Sequence, residues 1–214
     1  MRILSWNCLN GFDNGKPEFI FKKFTKTDIF IIQECKRVDV FALRKNKSYK
    51  WKFINWYGDD YDDKSDLGIA VISKNYDIKF TEQFNRNFRY VVPYTIITNK
   101  EPITLFIVWT KSSKRGEFNY DENVVNAINF KEYKKYLNNL IIIGDFNTGY
   151  TMNHKERYKK LYDNLKAKNI VNYCHYEPDK FEMTYFFDKN KEKYLNDFCF
   201  ASENINKKII NFTT

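Results

Sequence analysis

The stretch Leu140–Asn147, LIIIGDFN, decides how this chain is to be read. Four consecutive branched apolar residues make a short strand with no polar face, as a strand buried on both sides of a sheet requires. Gly144 closes it, and two polar residues, Asp145 and Asn147, follow at the carboxyl end. Two other apolar runs finish in the same way: RILSWN (2–7) delivers Asn7, and DIFIIQE (28–34) delivers Glu34. Ligands of α/β sheets bind outside the carboxyl ends of the strands, so these four side chains are expected to converge on one crevice. A single polar residue after a buried strand is commonplace and structural. Three such endings in one chain point to a site.

The residue types define the chemistry. Two carboxylates with two carboxamides, and no cysteine or histidine motif beside them, form a hard oxygen donor set that suits Mg²⁺ or Mn²⁺ and not zinc. Magnesium keeps several waters and is held by one or two carboxylates while substrate phosphate completes its shell, an arrangement that serves phosphoester hydrolysis.

Around these runs lie further strand candidates: 49–56, 67–73, 89–98, 103–110, 183–187 and 194–200. Helices are expected from Pro17, a first-turn proline, and over about 39–46, 121–138 and 154–168. In the last, Tyr158, Leu161, Tyr162 and Leu165 recur at helical spacing. Early strands are separated by helix-sized gaps and those from 67 to 110 by short turns, which predicts mixed sheets covered by helices. With no composition seam, 1–214 reads as one domain. The acidic GDDYDDKSD (58–66) lacks the register of a calcium loop and reads as a solvated turn.

In their order along the chain, ILSWN, IIQE, GIAVIS, IIIGDFN and NDFCFAS resemble the endonuclease/exonuclease/phosphatase superfamily, which includes deoxyribonuclease I and exonuclease III-type enzymes. The resemblance implies an α/β fold, a four-layer αββα sandwich of two mixed sheets flanked by helices. It implies Asn7 and Glu34 as metal-site residues, Asp145 as the group that orients or deprotonates the attacking water, and Asn147 as a phosphate contact. Asp197, in NDFCFAS, falls where the family places an aspartate that pairs with and tunes a histidine. A carboxylate-held imidazolium would stabilise the developing charge of a phosphodiester transition state.

The family carries that histidine in a Ser-Asp-His-x-Pro segment after one more strand, and this sequence has no such segment. Its two histidines, His154 and His175, both precede Asp197. Three readings stay open: a C-terminally short member, a degenerate non-catalytic relative that binds nucleic acid, or one that substitutes His154 or His175. The short member fits best, because the rest of the pattern is intact. KKIINF (207–212) offers a partner for the strand that carries Asp197, and the sandwich is expected to lack the family's last strand. Lys111, Arg115 and His154 are further candidates for contacting substrate phosphate, with solvated loop charges as the plainer alternative.

The net charge of +9, from 36 basic against 27 acidic residues, favours a polyanionic partner, nucleic acid first. Lysines outnumber arginines 29 to 7, a bias that an AT-rich coding sequence also produces, so only part of the charge speaks to function. A phospholipid or inositol phosphate is the alternative substrate, although no amphipathic membrane-docking helix or lipidation signal supports it. Cys8, Cys35, Cys174 and Cys199 form no C-x-x-C pair and read as reduced core residues. Without a signal peptide or long apolar run, the chain is expected to be soluble and cytoplasmic.

Overall fold

The computed structural model describes residues 1–58, 66–81, 84–88, 90–111, 120–148, 155–172, 185–187, 192–194 and 196–207. The chain forms two compact units, Met1–Lys79 with Ile96–Lys100, and Phe80–Thr95 with Glu101–Thr214.

The first unit runs β1 (Ile3–Asn7), α1 (Lys16–Lys23), β2 (Ile29–Lys36), α2 (Arg37–Lys45), β3 (Phe53–Gly58) and β4 (Leu67–Ser73). Its sheet has the order β1-β2-β4-β3. β1 and β2 are parallel, and β4 is antiparallel to both β2 and β3, so the sheet is mixed as expected. Alternation along β2 sends Phe30 and Ile32 to one face, where they pack with Ile20 and Phe21 of α1 and Val40 and Leu43 of α2. Ile29 and Ile31, on the other face, are equally buried. Pro17 stands in the first turn of α1, where its missing N–H costs no helical bond. Phe21 is the aromatic hub: its ring meets Phe12, Phe30, Tyr49 and Trp51 at centroid distances of 5.9, 5.0, 5.2 and 4.8 Å. Tyr49 and Trp51, expected to open a strand, instead stack on each other beside Phe21, and the strand begins at Phe53.

From Asp77 onward the elements are β5 (Asp77–Phe80), β6 (Val91–Ile97), β7 (Ile103–Trp109), α3 (Asp121–Asn129), β8 (Leu140–Asp145), α4 (Lys155–Lys166), β9 (Ile170–Asn172), β10 (Tyr185–Phe187), β11 (Glu192–Tyr194), β12 (Asp197–Ser202) and α5 (Glu203–Asn206). The second sheet has the order β5-β6-β7-β8-β12-β9, with β7 and β8 parallel and β12 antiparallel to both β8 and β9. β10 and β11 pair as a separate hairpin. Val124, Ala127 and Ile128 of α3 and Leu161 and Leu165 of α4 bury against Phe106, Ile142, Phe198 and Phe200 of this sheet.

The helix expected over 121–138 is two segments. Phe130 is extended, and a 3₁₀ segment follows over Lys131–Asn139. Tyr133 and Tyr136, three residues apart, lie on one side of this segment with their rings tilted to each other at 6.1 Å, and the buried Tyr133 ring packs on Phe106 and Phe130. The acidic run from Asp59 to Ser65 and the candidate partner strand beyond Lys207 lie outside the described residues. Cys8, Cys35 and Cys199 are buried free thiols. Burial pushes Cys199 up to about 12, so it stays protonated at neutral pH. Among the described residues no helix is long and apolar enough to cross a membrane.

Phe21→Ala removes the hub of the first unit's core and is expected to destabilise the chain by about 3–5 kcal/mol. Urea unfolding followed by tryptophan fluorescence measures this; a loss below about 1 kcal/mol would contradict the packing described here.

Candidate functional site

Because β1 and β2 run parallel, their carboxyl ends lie side by side, with Asn7 opposite Gln33. The β2–β4 register slips between Gln33 and Cys35, which leaves Glu34 as the bulged residue. Its φ of +58° is a left-handed conformation that a non-glycine residue adopts at a cost of about 1–2 kcal/mol. The loop after β1 holds it there: the Cys8 N–H donates to the Gln33 carbonyl at 3.0 Å, and the Gly11 N–H to the Glu34 carbonyl at 2.8 Å.

The half-buried Glu34 carboxylate is clamped from two sides. Asn7 Nδ2 donates to Oε1 at 2.9 Å, and the Asn10 N–H donates to Oε2 at 3.1 Å. Asn7 Oδ1 accepts the Leu9 N–H at 3.0 Å, which sets the orientation of the amide. A carboxylate oxygen carries two lone pairs, so one hydrogen bond to each does not by itself exhaust the Glu34 carboxylate. Burial pushes the neighbouring Cys8 thiol up to about 12 and Cys35 well above its ordinary value, so both are protonated at neutral pH. Among the described residues no three or more His, Cys, Asp or Glu side chains cluster as a ready-made metal cage. One carboxylate and one carboxamide oxygen, Glu34 and Asn7, are the donor types that suit a hard cation such as Mg²⁺, which keeps several waters.

In the second unit the parallel pairing of β7 and β8 sets Trp109 opposite Asp145, and the antiparallel pairing of β12 sets Asp197 opposite Asp145. Directly opposed residues of an antiparallel pair project to the same face, and two acidic ones there repel. Sheet stability alone disfavours that pairing. The buried Asp145 carboxylate is clamped as Glu34 is: the Asn147 N–H donates to Oδ1 at 2.9 Å, and Asn147 Nδ2 donates to Oδ2 at 2.9 Å. The same Nδ2 donates to the Thr110 carbonyl at 2.7 Å.

Asn147 sits at φ +47°, again left-handed. Around it the Thr110 N–H donates to the Asp145 carbonyl at 3.0 Å, the Thr110 hydroxyl donates to the Phe146 carbonyl, and the Phe146 N–H donates to the Asn196 carbonyl at 2.8 Å. Between the two polar residues Phe146 points into the core, 5.5 Å from the rings of both Phe198 and Phe200. The alternation of Asp, Phe and Asn thus separates an anchored ring from two side chains held at the strand end.

Asn7 and Glu34 are brought together in the first unit, and Asp145, Asn147 and Asp197 in the second. Lys111, just past β7, lays its ammonium over the Trp109 and Tyr90 rings at 4.8 and 5.5 Å. Arg115, His154 and His175 lie outside the described residues. Sequence reasoning missed Thr110, whose carbonyl fixes Asn147, and the backbone N–H of Asn10. The dense Asn, Gly and Asp content of LNGFDNG (9–15) carried a signal for the latter, since these residues build irregular turns with positive φ.

No protein-family model matches the chain, and no curated protein matches its sequence. Solved structures do. The endonuclease domain of TRAS1, a telomere-specific non-LTR retrotransposon, is 20% identical with a TM-score of 0.70, covering 99% of this chain and 90% of that one. A 3'-5' exonuclease (NExo) from Neisseria meningitidis is 16% identical with a TM-score of 0.65, covering 94% and 87%. An endonuclease/exonuclease/phosphatase family protein from Leptotrichia buccalis is 17% identical with a TM-score of 0.61, covering 95% and 88%. Two mixed sheets flanked by helices are the fold shared with these proteins.

Asn147→Gly and Asn147→Ala both remove the amide that holds Asp145, but only alanine keeps the penalty of a left-handed φ. The glycine variant is expected to be the more stable by about 1 kcal/mol in chemical denaturation. Equal stabilities would contradict the backbone conformation at this position.

Proposed function

We propose that this chain, built on the endonuclease/exonuclease/phosphatase fold, hydrolyses phosphodiester bonds in nucleic acid with the help of Mg²⁺ or Mn²⁺. The observation that carries the reading is that Glu34, at the bulge of β2, and Asp145, the last residue of β8, are each gripped by an asparagine amide. Such a clamp immobilises a carboxylate while leaving lone pairs for a cation or a proton. Nucleic acid as substrate is supported by the endonuclease and exonuclease among the similar structures and by the net charge of +9.

Glu34 and Asn7 would hold the cation through oxygen. When bound, the cation would supply positive charge to the phosphate and so lower the barrier to attack. Asp145 would orient a water and accept its proton, a role open to a carboxylate held in a fixed orientation. Both amide hydrogens of Asn147 are committed, one to Asp145 and one to the Thr110 carbonyl, so in this arrangement Asn147 positions Asp145. Asp197, opposite Asp145, would orient an imidazole, the role implied by the family resemblance.

The test is cleavage of an end-labelled DNA or RNA oligonucleotide. Activity is expected with Mg²⁺ or Mn²⁺ and none in excess chelator, with losses of about 10²-fold or more in Glu34→Gln and Asp145→Asn. Activity indifferent to chelator and to both substitutions would overturn the reading. Salt-sensitive binding without cleavage in any divalent cation would replace it with a binding role.

A further inference from the structure

We infer that Lys16 is the positioning residue that aims the Glu34 carboxylate, acting through three peptide groups. The inference rests on the reading of Glu34 as a cation ligand. Lys16 Nζ donates to the carbonyls of Cys8 at 2.6 Å, Leu9 at 3.0 Å and Gly11 at 2.8 Å, which uses all three ammonium hydrogens. In a trans peptide the C=O and N–H point to opposite edges of one plane. The N–H groups belonging to those same three peptides are those of Leu9, Asn10 and Phe12. They donate to Asn7 Oδ1 at 3.0 Å, Glu34 Oε2 at 3.1 Å and Asp39 Oδ2 at 2.7 Å. One cation behind the loop therefore turns three peptide dipoles so that their positive ends face three side-chain oxygens in front of it.

The loop needs such a device. Leu9, Asn10 and Gly11 follow one another at φ +52°, +59° and +126°, a succession of left-handed residues that a chain does not keep unless its surroundings over-determine it. Asp39 closes the ring, because the same Oδ2 also accepts the Lys36 N–H at 3.3 Å, at the start of α2 and two residues past Glu34. The start of α1, the loop, the bulge and the start of α2 are thus held by one ammonium. Its hydrogen bonds polarise the peptides they end on, which strengthens the bonds on the far edge. Losing it would leave three carbonyls without their donor and free the Asn10 peptide to rotate away from Glu34.

The experiment uses the full chain with Lys16→Met, Lys16→Arg and, as control, Lys22→Met, an exposed lysine of α1. Amide hydrogen exchange is measured by NMR without metal. Lys16→Met is expected to speed exchange at Leu9, Asn10 and Phe12 by about tenfold, the worth of a typical hydrogen bond, with Lys16→Arg intermediate and Lys22→Met unchanged. The Mn²⁺ concentration that half-saturates thermal stabilisation is expected to rise at least about tenfold in Lys16→Met. A lower melting temperature without selective exchange at these three amides would overturn the inference, leaving Lys16 an ordinary stabilising residue. If Lys16→Met does not fold, Lys16→Arg carries the same test, and wild-type exchange rates at all three amides would then overturn it. Faster exchange in a chain whose wild type shows no Mn²⁺ stabilisation would uphold Lys16 as the organiser of the loop and sink the cation reading of Glu34 instead.

Discussion

An asparagine amide donating to a carboxylate held at a bulge or at the end of a buried strand is the interaction on which the rest depends. It occurs twice, from Asn7 to Glu34 and from Asn147 to Asp145, each at 2.9 Å. An amide suits this task better than a cation. A lysine or arginine in its place would neutralise the carboxylate and compete with a metal ion, whereas the amide fixes orientation through one hydrogen bond and leaves the negative charge in place. The backbone N–H of Asn10 and that of Asn147 complete each clamp with a second neutral donor.

Both clamps are made with backbone that is costly to hold. Glu34 is a bulged residue with positive φ, and Asn147 is left-handed one residue after a fully buried phenylalanine. The bulge at Glu34 interrupts the ladder between β2 and β4, and Asn147 lies just past the end of β8. Each re-aims a polar side chain, the use to which bulges and left-handed residues are commonly put. The surroundings that sustain the strain differ. At Glu34 a loop pinned by Lys16 pairs with the bulge, while at Asn147 the Thr110 carbonyl and the anchored Phe146 ring do the holding.

Much of this was legible in the sequence because it depends on short-range pattern. Apolar runs ending in Asn7, Glu34 and Asp145 mark strands and their polar termini, and β8 spans Leu140–Asp145 as LIIIGD suggests. The α/β class with mixed sheets followed from the spacing of those runs. What was not legible depends on geometry that the pattern does not encode. The break at Phe130 comes with no helix-breaking residue to announce it, and the Tyr133 ring packed on Phe130 beyond the break is a tertiary contact that the pattern does not encode. β9, only three residues long, has no periodicity to detect. Lys16, beside Pro17 in a lysine-rich chain, looks like any solvated lysine until its three carbonyl partners are seen. Asn147, which the family resemblance places on the phosphate, spends its amide hydrogens on Asp145 and Thr110.

The central claim is that Glu34 is held as a ligand for a divalent cation. Electron paramagnetic resonance of Mn²⁺ titrated into the wild-type chain and into Glu34→Gln tests it directly, because free and bound Mn²⁺ differ in signal whether or not any substrate is turned over. The account predicts a bound ion in the wild type whose affinity falls by at least about tenfold when the carboxylate becomes an amide. Equal Mn²⁺ binding by the two proteins would contradict it.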